Sequence, residues 1–113
     1  IVYTITVDAR TLPPNRTMNV TVTDGAPSGT NYDNHLTYTA GTATETATGF
    51  TWNGALSTGD VVTIRFQVIA VASVGTLIIN SADYVDSDGS WSTNQVSTLV
   101  AQGIAQYLPI IMR

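Results

Sequence analysis

The stretch VVTIRFQVIAV, residues 61–71, constrains the fold of this chain more than any other segment. Val62, Ile64, Phe66, Val68 and Ala70 form one apolar row, while Arg65 and Gln67 fall on the other side. A period of two places alternate side chains on opposite faces of a β-strand. The same alternation recurs along the chain. IVYTITVDA sets Ile1, Tyr3, Ile5 and Val7 against Thr4 and Thr6, and MNVTVTD sets Met18, Val20 and Val22 against Asn19, Thr21 and Thr23. HLTYTAG predicts a short strand with Leu36, Tyr38 and Ala40 on one side, and GFTWNGAL a brief strand carrying Trp52. TLIINSADYV and WSTNQVSTLVA predict two more. TATETAT reads either as a strand or as an exposed loop, and GAPSGTNYDN as a long turn-rich loop. No segment carries a helical apolar stripe of useful length. About seven short strands separated by turn signals predict an all-β, immunoglobulin-like antiparallel β-sandwich of Greek-key type.

At 113 residues the chain is long enough for one core without metal or disulfide staples. Eight acidic against four basic residues give a net charge of −4. The arginines Arg10, Arg16, Arg65 and Arg113 are scattered, so no basic stripe exists to neutralise the phosphates of a nucleic acid or an anionic membrane. There is no cysteine and no lysine, which removes thiolate nucleophiles, thiolate zinc sites and Schiff-base chemistry. The single histidine, His35, rules out a two-histidine metal site within one chain. No apolar run approaches the roughly 18 residues of a membrane-spanning helix. The chain opens on Ile1 already in strand-like alternation, and the expectation is a piece of a longer exported protein whose signal lies upstream.

DYVDSDGSW, residues 83–91, holds three carboxylates: Asp83, Asp86 and Asp88. Calcium takes about six to eight oxygens, and calcium loops of the helix-loop-helix kind space their acids regularly and close on a glutamate. Here the glycine comes too early and no glutamate follows. Asp83 and Asp86, three apart on an extended chain, point to opposite faces. Asp88-Gly89 between two alternating runs instead signals a hairpin. The expectation is a connection over Asp86–Ser90 with solvated acids, a positive-φ glycine and no tight metal site. A triad on His35 lacks a nucleophile elbow, and Glu45, the only glutamate, lies in an exposed-looking threonine run. Tyr32, Tyr38, Trp52, Tyr84, Trp91 and Tyr107 could stack on a sugar, but Trp52 is expected in the core and Trp91 at the surface.

WNGALSTGDVVTIRFQVIAV resembles the bacterial conserved-repeat domain of unknown function often called DUF-eleven, through Trp52, Leu56, Gly59, Asp60 and the strand Val61 to Val71. YTITV at 3–7, NVTVTDGAPSG with Asp24, Pro27 and Gly29, and GTLIINSADYV with Asn80 and Ala82 extend the resemblance over most of residues 1–100. The chain departs from it at DARTLPPN, where an Asn-x-Gly bend is usual, and in a longer NYDNHL stretch. The resemblance implies an immunoglobulin-like module of secreted and cell-surface proteins and carries no catalytic residues. The tail GIAQYLPIIMR is similar to the Tyr-Leu-Pro-apolar-Arg ending of many exported proteins of filamentous bacteria. Together these give a sandwich over 1–102 and an apolar tail over 103–113, docked on the domain or on a neighbour. The function expected is a non-catalytic structural or adhesive module, extracellular or on the cell surface, without cofactor. Its expected partners are other domains of its parent, with a surface protein or polysaccharide beyond them, and it is a monomer or self-associates weakly through strand edges or tail. The alternatives are the C-terminal accessory domain of a secreted hydrolase, such as a subtilisin-like peptidase, and a carbohydrate-binding module.

Overall fold

A computed structural model describes residues 1–89, 91–101 and 104–105, with residues 91–94, 101, 104 and 105 described by their backbone alone. The tail from 106 onward and the side chain of Trp91 lie outside the described residues, as do the expectations made for them. Among the described residues ten β-segments form: β1 (Val2–Asp8), β2 (Thr17–Gly25), β3 (Thr30–Tyr32), β4 (Thr37–Tyr38), β5 (Thr42–Glu45), β6 (Gly49–Ser57), β7 (Val61–Ala70), β8 (Leu77–Asp86), β9 (Trp91–Ala101) and β10 (Ile104–Ala105). They make two antiparallel sheets, and no helix forms among the described residues. In one sheet β7 is central, with β1 on one side and both β3 and β4 on the other. The second sheet runs β10-β9-β8-β2-β6-β5.

Burial follows the sequence alternation closely. β1 alternates half-buried and buried residues, and in β7 the buried row is Val62, Ile64, Phe66 and Val68. The register Tyr3↔Phe66, Ile5↔Ile64 and Val7↔Val62 stacks the two rows side by side on one face. The facing sheet contributes Val20 and Val22 from β2, Phe50, Trp52 and Leu56 from β6, Ile78 and Ala82 from β8, and Val100 from β9. The β-branched residues thus sit on the pleated, half-buried surfaces that suit them. Phe66 lies among three aromatic rings, with centroids 5.2 Å from Tyr3, 5.1 Å from Phe50 and 6.3 Å from Tyr32.

The seven expected strands all appear, and three short segments differ from the sequence reading. β3 lies inside the stretch read as a loop and is held by pairing Thr30↔Ala70 to Tyr32↔Val68. β5 settles TATETAT as a strand, paired Thr42↔Asn53 to Glu45↔Phe50. HLTYTAG shrinks to the two residues of β4, and its supposed inward row fails: Ala40 is exposed and Tyr38 is 41% exposed. Segments this short pair with a long neighbour and present too few turns of the pleat to show a period of their own.

The β6–β7 turn locks the sheets together. Asp60 Oδ2 accepts the Ser57 N–H at 2.8 Å, while the backbone N–H groups of Ala9 and Gly59 donate to Asp60 and Ala9 carbonyls at 2.8 and 3.1 Å. One carboxylate therefore shapes the turn, and the end of β1 is tied to that turn.

Candidate functional site

The acidic stretch at 83–88 is the densest group of chemically capable side chains, and its geometry follows from strand parity. β8 buries Ile78, Asn80, Ala82 and Asp86 on one face and exposes Leu77, Ile79, Ser81, Asp83 and Val85 on the other. Asp83 and Asp86 therefore point to opposite faces, as expected. The β8–β9 pairing runs to Val85↔Trp91, so the hairpin connection begins at Asp86, and Gly89 has φ 82°; Ser90 lies outside the described residues. That value belongs to the left-handed region, which glycine enters without a Cβ penalty.

The expectation of solvated acids is wrong for Asp86, which is only 9% exposed. Its Oδ1 accepts the Asp88 N–H at 3.0 Å and its Oδ2 accepts the Tyr84 hydroxyl at 3.0 Å. The Gly89 N–H donates to the Asp86 carbonyl at 3.0 Å. Asp86 thus forms an Asx-type turn that starts the hairpin, and a carboxylate satisfied in this way can stay folded against the protein. Burial, then the hydrogen bond and charge of Asp86 with the charge of Asp88, push the Tyr84 phenol up to about 12. Asp88 turns outward and pairs with Arg16, which joins the hairpin to the loop before β2. Ser87 adds two more links, its N–H donating to the Asn19 carbonyl at 2.9 Å and its Oγ accepting the Asn19 N–H at 3.2 Å.

Among the described residues no group of three or more His, Cys, Asp or Glu side chains converges as metal ligands would. With Asp83 on one face, Asp86 bonded to its own turn and Asp88 facing an arginine, the three acids cannot close around one ion. Melting temperatures in excess calcium and in chelator should accordingly agree to within about one degree. A calcium-dependent rise of many degrees would mean linkage of several kcal/mol and a site the hairpin does not offer.

The other candidates are also separate. The His35 side chain is 66% exposed and its Nδ1 lies 3.2 Å from Asp33 Oδ2 on a loop. Glu45 is exposed on β5. Trp52 is fully buried, and its Nε1–H donates to the Ala40 carbonyl at 2.8 Å. Its ring is seated against two glycines: a Cβ on Gly41 or Gly54 would lie 2.7 or 2.5 Å from ring carbons, too close for either to carry a side chain. Trp52 therefore offers no face to a sugar. Tyr32 is buried as well, at 9% exposure. Sequence reasoning missed Asp24, which is 7% exposed and accepts a hydrogen bond from Asn80 Nδ2 at 2.8 Å. The signal was present, since Asp24 continues the inward row Met18, Val20 and Val22. Among the described residues no helix is long and apolar enough to cross a membrane. In comparisons with known proteins, no family model, no curated protein and no solved structure matches this chain.

Proposed function

We propose that this chain is a non-catalytic structural module of an exported bacterial protein, of the immunoglobulin-like, DUF-eleven-like kind, acting as a spacer or adhesive unit outside the cell. The observation that supports this reading best is how the acidic side chains are used. Asp8 pairs with Arg10, Asp60 shapes the β6–β7 turn, Asp86 starts the β8–β9 hairpin and Asp88 anchors it to Arg16. Carboxylates spent on turns and ion pairs build a rigid frame, whereas hydrolytic chemistry needs a positioned acid and base in one cleft.

The test is turnover. The purified domain, assayed against peptide, ester and glycoside reporters, should give no rate above buffer. Turnover that disappears on His35→Ala or on Asp83→Asn would overturn the proposal in favour of an enzyme.

A further inference from the structure

Among the described residues, four inward positions on the six-stranded sheet carry buried polar side chains where a sandwich core would ordinarily be apolar, and three of them lie away from the Asp86 turn. Asp24 on β2, Asn80 on β8 and Thr98 on β9 are 7%, 1% and 1% exposed. The registers Thr23↔Asp83, Asn80↔Val96 and Ile78↔Thr98 set them on a diagonal across three adjacent strands. Tyr3 and Tyr32 face this seam from the opposite sheet, near enough to feel the Asp24 charge. The hydroxyls of Tyr3, Tyr32 and Thr98 have no protein hydrogen-bond partner. Those of Tyr3 and Thr98 are close enough to influence one another, but not in hydrogen-bonding geometry.

Asp24 is the ionisable centre of the seam. Its Oδ2 accepts from Asn80 Nδ2 at 2.8 Å and its Oδ1 from the Gly25 N–H at 2.6 Å, and neither donor is a cation. The charges around it are negative. Asp83 sits opposite the preceding residue, Thr23, on β8, and Glu45 on β5 pairs with Phe50, the β6 partner of Asp24. Arg10 and Arg16 are held by Asp8 and Asp88, His35 lies beside Asp33, and Arg65 is on the outer face of β7. A buried carboxylate without a cation is costly, whereas the protonated acid is an ordinary polar group.

We propose that Asp24 is a proton-operated latch: protonated, it closes the β2–β8 end of the core, and its ionisation loosens that end, so the domain is held tightest in mildly acidic surroundings. Burial pushes the carboxyl up from 3.8 to about 7, with the Asn80 and Gly25 hydrogen bonds opposing and the Asp83 charge adding to the rise. Between those values the folded chain binds more protons than the unfolded one. Stability from this group is therefore fullest below the unfolded value, falls as pH rises through the window, and levels off above about 7.

The experiment is urea unfolding at pH 5, 6, 7 and 8 of the natural chain and of Asp24→Asn. Asparagine keeps an oxygen for Gly25, and the Asn80 amide can turn its own oxygen toward the new NH2. The ratio of the two folding constants cancels every pH dependence that the two chains share. The natural chain should lose about tenfold to a hundredfold in folding constant relative to Asp24→Asn between pH 5 and pH 8. Parallel pH profiles would overturn the latch. Carbon NMR of the Asp24 carboxyl in the natural chain gives a second reading that needs no variant. A midpoint near 7 supports the proposal, and a midpoint near 4 overturns it.

Discussion

Trp52→Ala is expected to cost about 3–5 kcal/mol of folding stability, the range for truncating a large aromatic in a closed core. Trp52 is fully buried on β6, within the cluster that includes Ile64, Phe66 and Val68 of the facing sheet. The loss has two parts, the apolar surface of the indole and the cavity left between Gly41 and Gly54. Those glycines cannot fill it, because they have no side chains to move in. Trp52→Phe separates the parts. It keeps most of the ring but gives up the Nε1–H bond to the Ala40 carbonyl, and should cost about 1–2 kcal/mol. Urea unfolding measures both. A loss below about 1 kcal/mol for Trp52→Ala would place the ring at the surface and revive a sugar-stacking role.

Phe66→Ala should cost as much, at the upper end of about 3–5 kcal/mol. Phe66 is fully buried on the central strand of its sheet and has Tyr3, Phe50 and Tyr32 around it. Phe50 belongs to the other sheet and meets Phe66 edge-on, at an interplanar angle of 61°. Such pairs add about 0.5–1.5 kcal/mol beyond buried area. The double variant Phe50→Leu with Phe66→Leu tests the contact between the sheets. Its cost should be less than the sum of the single costs by about that amount, because the pair can be lost only once. Strict additivity would mean that the two rings do not touch across the core.

The long strands were legible because their period of two is set by burial, and burial depends on the same face meeting the same core along the whole strand. In VVTIRFQVIAV every inward residue named from sequence apart from Ala70 is buried, and Ala70 is half-buried. Loop Trp52 could be told from core Trp52 by the same parity. The short strands β3, β4 and β5 were not legible, since two to four residues held by pairing with a neighbour carry no period. The acidic positions show a different limit. Asp24 and Asp86 both continue inward rows, a signal the sequence reading passes over because their residue type and nearby glycines read as turn chemistry. Asp86 is the last residue of β8 and Asp24 the next to last of β2, and both are buried. Asp86 resolves the conflict by bonding to its own turn, and Asp24 resolves it through Asn80 and Gly25.

One body around one core is the claim on which the rest depends. It is tested most directly by equilibrium urea unfolding of the Trp91→Phe variant, followed both by Trp52 fluorescence and by far-ultraviolet circular dichroism. Trp52 reports the core between the sheets, and circular dichroism reports the strands of both. A single core predicts coincident transitions with one midpoint and one slope. A Trp52 signal that changes at lower urea while the strand signal persists would contradict it, showing sheets that separate before they unfold and a module too loose to serve as a rigid spacer.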